Sequence, residues 1–210
     1  HRIGHLPAGA PIVLVAVVIG AIAKAVTGAY LSSEGNAFST RTAGQIVQQQ
    51  FNPGEIGQPS GPLFGVQFSQ LSCSDLMRRD SDGLAGFKRS PLGLAADPGG
   101  LPLYRNGLLV GGIGVISDAT YSLDLDITDF DSDADELIAL AGTSGFAAPV
   151  DVRANRITAD GRTLRYLDSE TLLANPGNAP AFASLPGNLL AVPGYNAAVV
   201  RAGVAFGTAA

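Results

Sequence analysis

Two residues, Asn106-Gly107, constrain most strongly what this chain can fold into. A type I′ turn needs positive φ at both central positions, and Asn-Gly supplies it with the least strain. The flanks agree: Leu101 to Arg105 and Leu108 to Ile116 read as the two strands of a β-hairpin. The second strand carries Gly111, Gly112 and Gly114, so it has almost no side-chain cover there. A strand this bare admits another backbone, a partner subunit or a flat ligand at close range.

With 210 residues the chain has room for one sizeable core, or for one domain with an extension. Hydrophobic residues make up 46% and charged residues only 15%, which excludes disorder over most of the length. The net charge of −5, with no Lys/Arg cluster, argues against a nucleic-acid or anionic-membrane surface. The lone Cys73 has no internal disulfide partner and reads as an inert buried thiol. A composition low in Lys and rich in Ala, Gly, Asn, Thr and Ser points to export, and hence to a periplasmic or extracellular location. The chain starts at His1 rather than Met, so it is expected to be processed, truncated or incompletely represented. The apolar run Ile12 to Ala23 is too short for a bilayer span of roughly 20 residues. It reads as a buried element ahead of a signal-peptide core flanked by Arg2.

Along the chain, the Val/Ile-rich stretch Ile12 to Ile19 predicts a buried strand. The spacing of Ala21, Ile22, Ala25, Val26, Ala29 and Tyr30 predicts a helix through Leu31. Ser39 or Thr40 caps a second helix carrying Ala43, Ile46, Val47 and Phe51. Leu63 to Leu71 alternates loosely, as a strand would. Ser132 or Asp133 caps a helix through Leu140, closed by Gly142. Asp160-Gly161 joins Val150–Thr158 to Arg162–Leu167 as a second hairpin. This order of helices and hairpins predicts an α+β fold with an antiparallel sheet. Residues 1–142 form the domain and 143–210 a loop-rich extension ending in an arm.

Three segments, taken in order, resemble the GlcG/HbpS-like family of haem-binding or haem-degrading domains. Gly9-Ala10-Pro11 and Ala23-Lys24-Ala25-Val26-Thr27-Gly28-Ala29 are similar to its G-A-P segment and K-A-x-T-A helix. Gly99 to Val115 is similar to its paired G-G-x-P and glycine-rich strands. Asp135-Glu136-Leu137-Ile138-Ala139-Leu140-Ala141-Gly142 is similar to its D-E-x-x-A-x-A-G helix. The resemblance implies a profilin-like domain, with a central antiparallel sheet flanked by helices, that self-assembles into oligomers. It also implies haem or a similar planar cofactor as ligand.

Haem commonly takes a His, Met, Cys or Tyr axial ligand. His5, Met77 beside Arg78-Arg79, and Tyr104 are the candidates, each set against a plain alternative. For His5 that is a surface histidine, for Met77 a gap-filling side chain, and for Tyr104 cross-strand packing. The acidic run from Asp124 to Glu136 places Asp129, Asp131 and Asp133 at alternating positions that could hold Ca²⁺. It lacks the glycine and glutamate of an EF-hand loop, and a solvated loop with acids starting a helix is the simpler reading of the run. There is no P-loop Lys-Ser/Thr, no G-x-S-x-G, no H-E-x-x-H and no Cys/His metal spacing. The sequence therefore describes a binding module, or a structural subunit of a larger assembly, ahead of an enzyme.

Overall fold

The protein is described here as a computed structural model covering residues 12–52, 54–60, 66, 68, 69, 71, 92–118, 120–172 and 174–185. The first helix, α1 (Ile12–Leu31), is followed by α2 (Thr40–Ile46), then by strands β1 (Gly100–Arg105) and β2 (Leu108–Gly114). Helix α3 (Ala134–Gly142) comes next, and β3 (Thr158–Ala159) and β4 (Arg162–Thr163) close the series of regular elements. The fold is α+β. Among the described residues the strands form two separate antiparallel two-stranded sheets, β1–β2 and β3–β4. Residues 12–179 form one compact unit, and beyond it the described residues end in a short 3₁₀ turn at Phe182–Ser184.

The Asn106-Gly107 turn is present, with φ of 53° and 78°. Gly100 pairs with Gly114 at the open end and Arg105 with Leu108 beside the turn. The register shifts between Leu103 and Tyr104, whose partners are Gly111 and Leu109, leaving Val110 as the extra residue of a bulge.

One expectation fails at the start of the chain. Ile12 to Ile19 is helical and continuous with the stretch that follows, so α1 runs unbroken over 20 residues. A continuous apolar run serves a buried strand or a buried helix equally well, and β-branching is a weak preference that packing overrides. Where burial along α1 is described, Gly20, Ala23, Lys24, Thr27 and Gly28 are the buried positions, at helical spacing along one face.

That helix lies directly on the bare strand. A Cβ at Gly112 would stand 2.1 Å from the Ala25 carbonyl oxygen, and one at Gly114 2.1 Å from that of Ala21. From the other side, a Cβ at Gly28 would stand 2.7 Å from the carbonyl carbon of Leu101. Glycine is required here because two backbones meet with no room for a side chain between them. A Cβ at Gly111, on the opposite face of the strand, would meet nothing within 4 Å. Among the described residues no helix is long and apolar enough to cross a membrane.

Helix α2 is buried along its whole length. Ser39 caps it: its Oγ accepts from the Thr42 N–H at 3.0 Å, and the Thr42 hydroxyl accepts from the Ser39 N–H at 3.2 Å. The same two hydroxyls donate to the carbonyls of Tyr166 and Arg165, each at 2.5 Å, which ties the helix to the segment after β4. Asp133 caps α3 as expected, accepting from the Glu136 N–H at 2.8 Å. The Asp160-Gly161 hairpin exists, but its strands are only two residues each, with 3₁₀ turns at Val150–Val152 and Ala154–Arg156 in place of a longer strand. The core joins Leu101 and Tyr104 to Ile46, Phe51, Ala139, Leu164, Tyr166 and Leu167, so residues beyond 142 complete the core begun before them. The strand expected over Leu63–Leu71 lies largely outside the described residues.

The two faces of β2 predict a contrast. Gly112→Ala should destabilise by about 3 kcal/mol, the upper end of overpacking costs, because backbone must move to admit the methyl. Gly111→Ala should stay within about 0.5 kcal/mol of the parent, as surface changes do. Chemical denaturation of the two variants measures both. Equal effects would show that α1 does not lie on this strand.

Candidate functional site

The first turn of α3 and the face of α1 against the hairpin build the most charged region described. Lys24 is fully buried in a helix otherwise free of charge. Its Nζ donates to Asp135 Oδ2 at 2.7 Å and makes an ion contact with Asp97 Oδ2. Asp135 Oδ1 accepts from both the N–H and the hydroxyl of Ser117, each at 2.6 Å. Asp97 Oδ1 accepts from the Ser122 N–H at 2.9 Å. Burial pushes the Asp135 carboxyl up, but Lys24 and the two Ser117 donors outweigh it and hold the group below the usual carboxylate range. At Asp97 burial wins over Lys24 and Ser122, and its carboxyl is raised.

Arg41, 4% exposed, centres a second cluster. Its Nη1 lies 2.9 Å from Asp124, 3.1 Å from Asp168 and 3.4 Å from Asp131, and its Nε donates to Glu136 at 3.2 Å. Nη2 has no hydrogen-bond partner among the described residues. Burial lowers the guanidinium pKa, but Glu136 and Asp168 outweigh it and the net direction is upward. Burial raises Glu136, against the pull of Arg41.

Asp124, Asp131 and Asp168 are also the one set among the described residues whose oxygens approach closely enough to hold a metal ion. Their common centre is already served by Arg41 Nη1, so the arrangement is an arginine held by acids. Between the two clusters opens a cavity of about 160 Å³, lined by Asp97, Asp118, Asp124, Asp131, Asp133 and Asp135 with Thr120, Ser122 and Pro98.

The residues singled out from sequence fall differently. Asp129, Asp131 and Asp133 do not converge on one point. Asp133 caps α3 and Asp131 turns to Arg41, while Asp129 is exposed, with its backbone carbonyl accepting from Arg165. The reason is local. Asp133 and Asp131 are each drawn to a different fixed donor, which separates side chains that alternate in sequence. The helix-start acids are not solvated either, since Asp135 and Glu136 are both buried and ion-paired. Tyr104 is buried, and its hydroxyl lies 2.5 Å from the Ser33 carbonyl and 3.2 Å from that of Asn36. Burial raises its pKa. It is committed to the core, as the packing alternative held, and its oxygen is not free to ligate iron. His5 and Met77 lie outside the described residues.

Sequence reasoning missed Lys24, Arg41, Asp97, Asp124 and Asp168. A signal was present for the first: Lys24 sits on the apolar stripe of α1, and a lysine there demands an acid from elsewhere in the chain. The cavity does not fit haem. The macrocycle needs apolar walls, whereas this cavity offers carboxylates that would also repel propionates. No family model, curated protein or solved structure matches the chain.

Lys24→Met should cost about 3–5 kcal/mol, because it strands two buried carboxylates without a cation. The pH dependence follows from the sign. In the parent, Asp135 titrates below its unfolded value, so it contributes stability above the unfolded pKa that is lost as pH falls through the folded one. In the variant both carboxyls lose the cation that pulls them down, so the cost of keeping them charged and buried is greatest at neutral pH. The stability gap between parent and variant should therefore narrow as pH falls from neutral toward the carboxylate range. Denaturant midpoints across pH measure it, and a constant gap would show that the lysine is not paired as described.

Proposed function

We propose that the chain is an exported, GlcG/HbpS-like binding module that works as an oligomer, with haem or a similar planar cofactor as its ligand class. The observation that carries the reading is the contact among the described parts of the three segments on which the resemblance rests. Lys24 of the first pairs with Asp135 of the third. A Cβ at Gly99 of the second would stand 2.7 Å from Asp135 Cβ, and one at Gly142 of the third 2.4 Å from Ile113 Cδ1 of the second. Segments that matter jointly in one scaffold are expected to touch, and these do. Their shared residues carry the scaffold rather than the ligand. A profilin-like sheet would need further strands beside β2. On this reading the axial ligand is His5 or Met77, since Tyr104 is committed and the acidic cavity is unsuitable.

A second reading, a structural subunit without its own cofactor, is favoured by the outer edge of β2. Among the described residues β2 pairs only with β1. Leu108–Gly114 has no charge and no proline, and Leu108 and Val110 are exposed. Sheet edges are usually blunted by charge, proline or cover, so an unguarded edge suits pairing with another chain.

Haemin titration joined to native mass spectrometry tests both readings. The first predicts a Soret band that follows protein concentration, a bound mass equal to haem, and loss of both on replacing His5 or Met77. A colourless oligomer that ignores haemin leaves the second reading standing. A colourless monomer contradicts both.

A further inference from the structure

The hairpin turn itself carries chemistry. We propose that Asn106 is a site of spontaneous covalent modification, in which the Gly107 nitrogen displaces the side-chain amide and the resulting succinimide opens to aspartate or isoaspartate. In the first step a bond forms between Gly107 N and Asn106 Cγ, and the Cγ–Nδ2 bond breaks. The proton from Gly107 leaves on Nδ2 as ammonia. In the second step water adds to one of the two ring carbonyls. Opening at Cγ restores the ordinary backbone and gives aspartate. Opening at the main-chain carbonyl routes the backbone through Cβ and Cγ and gives isoaspartate. Both products add one negative charge.

The reaction needs an unengaged nitrogen after the asparagine, an unhindered approach and water. Asn106 is exposed and strained at φ 53°, and a Cβ at Gly107 would meet nothing within 4 Å. The Gly107 N–H has no hydrogen-bond partner among the described residues, since a two-residue turn leaves it outside the ladder. Every other described asparagine lacks one of these conditions. Asn52 and Asn175 precede prolines, which have no N–H to lose. After Asn36, the Ala37 N–H is bound to Val152 O at 2.7 Å. After Asn155, the Arg156 N–H is bound to Arg153 O at 2.9 Å, and after Asn178, the Ala179 N–H is bound to Pro176 O at 3.1 Å. The fold thus protects these and leaves Asn106 open. The aspartate product keeps a turn that Asp-Gly also forms. Isoaspartate inserts an extra main-chain carbon into a connection that tolerates only two residues, beside the register shift at Tyr104.

The test ages the full folded chain at mildly alkaline pH and digests it with trypsin at intervals. The peptide from Asn106 to Arg153 contains no other asparagine. It should become about 1 Da heavier, with the isoaspartyl fraction counted by enzymatic carboxyl methylation. The peptides holding Asn36 and Asn155 should stay unchanged over the same period. Gly107→Ala, which crowds the ring closure, should slow the loss severalfold. The proposal is overturned if the folded chain keeps its Asn106 amide over the time in which the urea-unfolded chain loses it. It is overturned equally if Asn36 or Asn155 reacts first.

Discussion

Helix α1 and strand β2 meet backbone to backbone, and the rest of the structure depends on that contact. Where Gly112 and Gly114 face the helix, each turns an α-hydrogen toward a helical carbonyl, of Ala25 and Ala21 respectively. Contacts of this Cα–H···O kind are individually weak, but they need the short separation that only glycine allows. The separation has a consequence one residue along. Lys24 lies on the same face of α1, and with the helix seated this low its ammonium reaches Asp97 and Asp135. A thicker strand would lift the lysine away from both acids and leave three buried charges without an opposite charge beside them.

The charges then fix the arrangement. A buried ion pair is often no more stabilising than an apolar pair of the same shape, whereas breaking one is costly. Lys24 and Arg41 therefore contribute uniqueness. Lys24 joins α1 to Asp97 in the loop before β1 and to α3, and Arg41 joins α2 to α3, to Asp168 and to the acidic run. Any register slip in the hairpin or rotation of α1 would leave a charge unpaired in the interior. Acids of both clusters, Asp97 and Asp135 beside Lys24 and Asp124 and Asp131 beside Arg41, also line the polar cavity between them.

How much of this was legible in the sequence varied with how local the cause was. The Asn106-Gly107 hairpin, the Ser39 and Asp133 caps and the Asp160-Gly161 turn each depend on a few adjacent residues, and all were readable. The identity of Ile12–Ile19 was not, because a run of apolar β-branched residues carries no period and suits a buried helix as well as a buried strand. The bareness of β2 was readable, and so was the prospect that another backbone would approach it. That the backbone would be the chain's own helix was not. The Asp129, Asp131, Asp133 grouping failed for a related reason: alternation in sequence says nothing about where the fixed donors sit. Arg41 gave no local sign of its role. A buried arginine reads like any helix arginine until the carboxylates of Asp124, Glu136 and Asp168 are brought round it.

The functional reading rests on the same contact, since the segments that suggest a GlcG/HbpS-like module are those the helix and hairpin bring together. The most direct measurement is a set of nuclear Overhauser effects on isotopically labelled protein, between the α-protons of Gly112 and the backbone protons of Ala25 and Ala29. The account predicts clear cross-peaks there and none from the α-protons of Gly111 to the same helix. Cross-peaks from Gly111 in place of Gly112, or none from either, would put α1 on the other face of the strand or away from it, and would contradict the account.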